Sequence, residues 1–410
     1  MCNISRSYCF NNPKSTKMEN ITMKTSTLMS GKFENHNRSA KGFLKSFAGI
    51  ILLMALFILS SCEKDDPDQI RNPESIIPER FMVEIPNSLS SSDNLKSAKV
   101  EALNGNHIYQ NLCTFISVGE YGAELVQSIM LSIAVHNLNR PMDLTFISEE
   151  DSRPKHLKII ENAYYEGTQW QYRLTLADMQ GPYEGSDGNI GLQVFWSLHP
   201  LKGIAIMNPY NISRKTENDF QNTHIRVDYS ETGELGYEAH MVVSITGFPI
   251  PDPLENPYGL SKLKMFAGKN ADLVTLYGNS KHPNANFFSG TTGFNWAFVA
   301  AGYESQDMAV AELGLPPMDL DASDRETILE TYSVNTVLRN QILSVWPNIS
   351  QNLLDTYLLN TEAPGYFDRQ GFVQAGTAPS QAWLPLREYI RTLTPYNPAK
   401  IKALTVGFDE

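Results

Sequence analysis

Two runs, His224-Ile225-Arg226-Val227-Asp228-Tyr229 and Tyr237-Glu238-Ala239-His240-Met241-Val242-Val243-Ser244-Ile245, decide the fold. In the first, Ile225, Val227 and Tyr229 alternate with His224, Arg226 and Asp228. In the second, Tyr237, Ala239, Met241, Val243 and Ile245 alternate with Glu238, His240 and Ser244. A period of two places apolar side chains on one face of a strand and polar ones on the other. That is the pattern of antiparallel strands with one buried and one wet face. Thr232-Gly233 between the runs supplies the turn.

The same alternation extends in both directions, from about residue 156 to 313. Trp170, Tyr172, Leu174 and Leu176 form one run, and Ile190, Leu192, Val194, Trp196 and Leu198 another. Weaker strands are expected at 261–267, 271–277, 294–300 and 307–313, with a further short one at Phe81 to Ile85. About ten strands joined by hairpin-length loops predict an antiparallel barrel or sandwich. Around it the period changes to 3.6. Ser117 and Glu120 have capping-box spacing before a helix expected over Val118 to Asn137. After Pro316-Pro317, Ser323 and Glu326 open a second helix with Ile328, Tyr332, Leu338, Ile342 and Trp346 on one face. Further helices are expected over Gln351 to Leu359 and from about Ser380. Leu404, Val406 and Phe408 predict a last strand rejoining the sheet. The fold class is therefore α+β: a β-rich domain over 101–316 with a leading helix, then a helical segment over 317–410 packed on the same domain.

Upstream, Lys41 and Lys45 precede thirteen uncharged, largely aliphatic residues, Phe47 to Leu59, followed by Ser60-Ser61-Cys62. A spanning helix needs about 20 apolar residues, so the run reads as a signal h-region rather than a membrane anchor. The motif resembles the lipobox of bacterial lipoproteins. The resemblance implies cleavage by signal peptidase II before Cys62 and acylation of that residue. A start at Met29 would give a signal of ordinary length. Glu63-Lys64-Asp65-Asp66-Pro67-Asp68 resembles the surface-export signal of Bacteroidota-type lipoproteins, which implies an outer-membrane protein held by its acyl chains and facing the cell exterior. Residues 62–100 then read as the lipidated cysteine and a tether.

Removing residues 1–61 changes the chain's chemistry. They hold eight of the 33 basic residues and two of the 45 acidic ones, leaving 25 against 43 and a net charge of −18. Such a field repels polyanions, which excludes nucleic acid as a partner. Of the four cysteines, Cys2 and Cys9 precede the cut and Cys62 is the lipid site. Cys113 alone remains, read as a buried, inert thiol.

No nucleophile elbow, P-loop, zincin helix or CxxC pair occurs after Cys62. The strands at 224–240 carry the densest polar face, with His224, Arg226, Asp228, Glu238 and His240. Two registers keep its parity. One sets Asp228 against Glu238; the other, favoured for its ion pair, sets Arg226 against Glu238 and His224 against His240. The second makes His224, His240, Glu238 and Asp228 a candidate metal or ligand group; the plainer alternative is a solvated outer face. Asp319, Asp321, Asp324 and Glu326, and the turn with Glu184, Asp187 and Asn189, are candidate calcium ligands; the first set lacks an EF-hand glycine, and Ser323, Asp324 and Glu326 also fit a helix N-terminus, where carboxylates favour the dipole. Glu149, Glu150 and Asp151 read as a solvated turn. Tyr164, Tyr165, Trp170 and Tyr172 are read either as a sugar platform or as core. The expected function is a surface-exposed binding or structural protein, accessory to nutrient uptake or adhesion, with an outer-membrane protein or a glycan as partner. The competing expectation is an extracytoplasmic hydrolase, such as a glycoside hydrolase with dispersed carboxylates.

Overall fold

A computed structural model describes residues 76–90, 105–134, 140–180, 189–216, 218–250, 258–285 and 293–409. The lipobox, the acidic run after it and the turn at 181–188 lie outside these residues. The first described elements are a helical turn α1 (Asn87–Ser90) and a long helix α2 (Gly105–Ala134). Thirteen strands follow: β1 (Met142–Ile147), β2 (Pro154–Tyr165), β3 (Thr168–Asp178), β4 (Ile190–Ser197), β5 (Lys202–Met207), β6 (His224–Ser230), β7 (Ala239–Thr246), β8 (Lys262–Asn270), β9 (Leu273–His282), β10 (Phe294–Tyr303), β11 (Met308–Gly314), β12 (Gly365–Asp368) and β13 (Gly371–Ala375). They form one antiparallel sheet in which each strand pairs with the next in sequence. β1 and β13 are its edges and do not pair with each other, so the sheet is open rather than a closed barrel.

The expected strands were too few, and some were misplaced. β5 has no alternation, because Ile204 to Met207 are buried on both faces. β1, β12 and β13 are short edge or near-edge strands with little periodic signal. β12 and β13 come from the segment expected to be helical, so the sheet continues past residue 316. Phe81 to Ile85 is not a strand. Its backbone donates to α2 instead: Phe81 N–H to Gln127 Oε1 at 2.9 Å and Ile85 N–H to Glu120 Oε1 at 3.0 Å.

Helix α2 begins thirteen residues before the expected Val118. Ile108, Tyr109, Leu112, Phe115 and Ile116 carry its buried stripe back to Gly105. Ser117 is no cap: its Oγ donates to Cys113 O at 2.8 Å within the helix. The stripe lies on one face of the sheet with Val194, Trp196, Ile225, Val227, Met241, Val243, Leu263 and Met265. Gly122 allows the close approach, since a Cβ there would lie 3.3 Å from Ile225 Cγ2 and 3.4 Å from Ile245 Cδ1. Residues 76–85 fill the same side, with Trp196 Nε1 donating to Ile76 O at 2.7 Å.

The opposite face is covered by later chain. A π-helical turn (Glu326–Thr331) and helix α6 (Leu384–Ile390) pack Ile328, Leu329, Leu386 and Ile390 on Val299, Val310 and Tyr366. Where one long helix was expected from Ser323, the chain breaks at Ser333, which caps a separate helix α4 (Val334–Val345). A short helix α3 (Pro209–Ile212) lies after β5. Helix α5 (Gln351–Tyr357) falls within its expected range, and α7 (Pro398–Lys402) precedes the tail. Leu404 to Phe408 form no strand. The tail crosses the face and is held by Asp409 N–H to Gln193 Oε1 at 2.8 Å, with Phe408 edge-on to His224.

One bend carries the β2–β3 hairpin from one face of the sheet to the other. Ile159 and Leu174 pack beneath α2, whereas Ala163, Tyr165 and Trp170, of the same parity, pack with Phe195, Ile204 and Ile206 on the other face. Between them Asn162 has φ 57° and interrupts the β2–β3 ladder. A left-handed residue breaks the pleat and lets the hairpin end turn over the outer face.

Candidate functional site

Among the described residues, a cavity of about 420 Å³ lies on the outer face at β11. It is lined by Glu312, Arg325, Glu330, Ala363, Pro364, Arg387, Ile390 and Arg391. In β11, Ala309, Ala311 and Leu313 point toward the α2 side, while Met308 and Val310 belong to the outer cluster. Glu312 shares the outer parity and is the sole charge in this strand. The π turn closes tightly over the strand's end: a Cβ on Gly314 would lie 2.2 Å from Ile328 O, so only glycine fits. Arg325 stands immediately before that turn. Arg387 and Arg391 are four residues apart on and just after α6, which puts them on one side of the helix. Ile390 anchors that helix in the core at 1% exposure.

Arg325 ties the two carboxylates together. It donates through Nη2 to Glu312 and through Nη1 to Glu330 at 3.1 Å. Burial pushes the Glu312 carboxyl up, against the opposing pull of Arg325. Arg325 Nε is buried without a hydrogen-bond partner. On the opposite wall, Arg387 Nε and Nη2 donate to Glu388 Oε1 at 3.1 and 3.0 Å, and Arg391 Nη1 to Glu388 Oε2 at 2.7 Å. Glu388 is half exposed and is not part of the lining. The lining thus carries three guanidinium groups and two carboxylates, with Glu388 beside it balancing the charge until it is displaced. It can hold an anion by forked hydrogen bonds. A lone Glu in an apolar strand and the Arg-x-x-x-Arg spacing were the signals for this site. Neither has meaning until the fold places them together.

The candidate on β6 and β7 is laid out differently from its expected register. His224 pairs with Thr246, Arg226 with Ser244, Asp228 with Val242 and Ser230 with His240. The parity holds, but the pairing is shifted six residues from the favoured register, because the connection from Glu231 to Glu238 is longer than the turn residues indicated. His224 and His240 lie six residues apart along the strands, roughly 20 Å. Glu238 is outside β7, exposed, with its carboxylate accepting from Ala271 N–H at 3.1 Å. Asp228 accepts from Arg226, and burial holds the His240 imidazole below its usual value. Among the described residues, no group of three or more His, Cys, Asp or Glu side chains is placed to hold a metal ion. Asp319 pairs with Lys402, Asp321 accepts from Asn397 at 2.7 Å, and Asp324 accepts from Thr327 N–H at 2.7 Å. Glu326 begins the π turn.

The turn expected to be solvated is so only at Glu149. Glu150 is buried, and burial next to Asp151 pushes its carboxyl up to about 7. Asp151 accepts from Lys155 at 3.0 Å. Lys155 also reaches Asp178, a fully buried carboxylate shared with Arg153 at 2.7 Å and Arg214 at 3.2 Å. These bonds lock the β1–β2 turn, the end of β3 and the chain after α3 together. The aromatic platform is divided as well: Trp170 and Tyr165 are buried, Tyr172 stacks on Trp196, and Tyr164 alone is strongly exposed.

Ser280 Oγ and His282 Nε2 are 2.7 Å apart, and His282 Nδ1 is 2.9 Å from Tyr258 O. The pair resembles a nucleophile and its base in geometry. However, both are fully buried, with the imidazole stacked on Phe115 and against Trp296. Burial lowers the imidazole to about 3, so it is a structural histidine. Cys113 is likewise buried, its thiol pushed up to about 12. No protein-family model, curated protein or solved structure matches this chain, so its site is known through its own residues.

Proposed function

We propose that this protein is a lipid-anchored binding protein, displayed on the outer face of the outer membrane through Cys62, that takes a small anion in the arginine-lined cavity. The observation that carries the reading is the convergence of Arg325, Arg387 and Arg391 on one cavity in a chain of net charge −12. The lipobox-like sequence and the acidic run after it support the placement. A tether from Cys62 would hold the β domain clear of the headgroups, where it could serve an uptake or adhesion assembly. No described helix is long and apolar enough to cross a membrane.

Two tests apply. Cys62→Ala should move the protein from the membrane fraction to the soluble one, and unchanged fractionation defeats the anchor. Binding of a panel of small anions to the full chain, measured by calorimetry, should weaken in an Arg387→Gln/Arg391→Gln variant. Anion binding indifferent to that variant defeats the site.

One observation favours a second reading. Glu312 and Glu330 line the same cavity, one buried and one exposed, as an acid and a base of a hydrolase would. Arg325 donates to both carboxylates and holds them in place, which suits a binding site better. Turnover of a glycoside that disappears in Glu312→Gln would establish the hydrolase instead.

A further inference from the structure

Resting on the reading of this cavity as an anion site, we propose that its ligand is a small hydroxylated carboxylate of the sugar-acid class. Its carboxylate lies on Arg387 and Arg391, and its hydroxyl groups donate to Glu312 and Glu330.

Size sets the first limit. About 420 Å³ falls at the low end of small-molecule sites, which run roughly 300–1,000 Å³. The cavity takes one or a few rings rather than the body of a polymer.

Charge is arranged in two walls. Arg387 and Arg391 are engaged by Glu388, whose side chain is 52% exposed. Solvent screens exposed pairs of this kind, so a ligand carboxylate displaces Glu388 at little cost. A planar guanidinium also matches a carboxylate with two parallel hydrogen bonds. The other wall presents acceptors, because Glu312 and Glu330 use only part of their lone-pair capacity on Arg325. A bare anion filling the cavity would set negative charge against these carboxylates. Hydroxyl groups on its far side turn that repulsion into donated hydrogen bonds. Ile390, Ala363 and Pro364 supply an apolar surface for the carbon skeleton.

The test is calorimetry on the full chain in detergent, with D-gluconate and D-glucuronate as probes and acetate, sulfate, D-glucose and L-glutamate as controls. The sugar acids should bind about tenfold or more tighter than any control, the cost of losing one charge-assisted hydrogen bond. Arg387→Gln/Arg391→Gln should remove that binding. Glu330→Gln, at an exposed position, should narrow the gap between gluconate and acetate while leaving acetate affinity unreduced. Acetate or sulfate binding as tightly as the sugar acids overturns the ligand class but leaves the anion site standing. Glutamate binding best also overturns it. If no anion binds although circular dichroism matches a folded β protein, the anion site itself falls.

Discussion

Glu166, at the tip of the β2–β3 hairpin, holds Arg226 three strands away on β6 through contacts of 2.5 and 2.7 Å. Arg226 also donates to Asp228 at 2.7 Å, with its guanidinium 6.0 Å from the centre of the Tyr165 ring. The bend at Asn162 brings the hairpin end over the face and makes this reach possible. The guanidinium is 22% exposed and Glu166 48%, so solvent screens the pair. A double-mutant cycle on Glu166→Gln and Arg226→Gln, read by urea unfolding, should give a coupling of about 1 kcal/mol. Zero coupling would mean that the hairpin is held by its apolar packing on Phe195, Ile204 and Ile206 instead.

Asp178 should be the most costly single carboxylate to remove. It has no exposed side-chain surface and accepts from Arg153, Lys155 and Arg214. Asp178→Asn leaves Lys155 buried against Asp151 alone, and loss of one partner from a buried ion group costs about 3–5 kcal/mol. Burial pushes its carboxyl up, but hydrogen bonds from Arg153, the Gln180 N–H and Lys155 outweigh it and hold the group far below the usual range. A depressed folded value stabilises above the unfolded pKa of about 3.9 and is lost as pH falls further. A variant equal to wild type in its denaturation midpoint at pH 7 would refute this.

Glu150 and His282 should tilt the pH profile in opposite directions. Glu150, raised to about 7, is stabilised as the neutral acid, so its contribution declines as pH rises from about 4.3 toward 7. His282, lowered to about 3, is stabilised as the neutral base, so its contribution declines as pH falls below about 6.5. Between pH 4.5 and 6.5 the two offset each other. In Glu150→Gln the first slope disappears, and the melting temperature should fall on acidification across that window. The same slope in both proteins would show that Glu150 does not titrate as described.

The Cys113 thiol should be silent to Ellman's reagent in the folded chain and react fully in denaturant, since burial raises it to about 12. Rapid labelling under native conditions would place it on an accessible surface.

Much of the sheet was legible because β3 and β6 pair a buried face with a wetter one, and β4 and β7 alternate in sequence although both of their faces are largely covered. Parity on β6 and β7 was right residue by residue. Register was not, since alternation fixes which face a residue takes but not how far a loop extends. The Glu231–Glu238 connection looked like a short turn because Tyr237 continues the alternation, yet its ring packs on Phe266 from the loop. The α2 start was missed for a local reason, as Ser117 and Glu120 mimic a cap while bonding to Ser90 and Ile85. The cavity was the least legible feature. Its charges come from β11, the π turn and α6, spread over about eighty residues, and no spacing rule joins them.

The sequential order of the strands separates two kinds of folding event. Each hairpin can close locally as the chain appears, which keeps loop-closure entropy small. α2 has no such neighbour. Tyr109 stacks on Phe372 at 5.0 Å and its hydroxyl donates to Glu362 O, 253 residues further on. A chain emerging from the ribosome therefore meets β6 to β8 along the middle of the α2 stripe but carries its Tyr109 end unshielded until β12 and β13 arrive. The last strands to be made are the ones that seal the first helix.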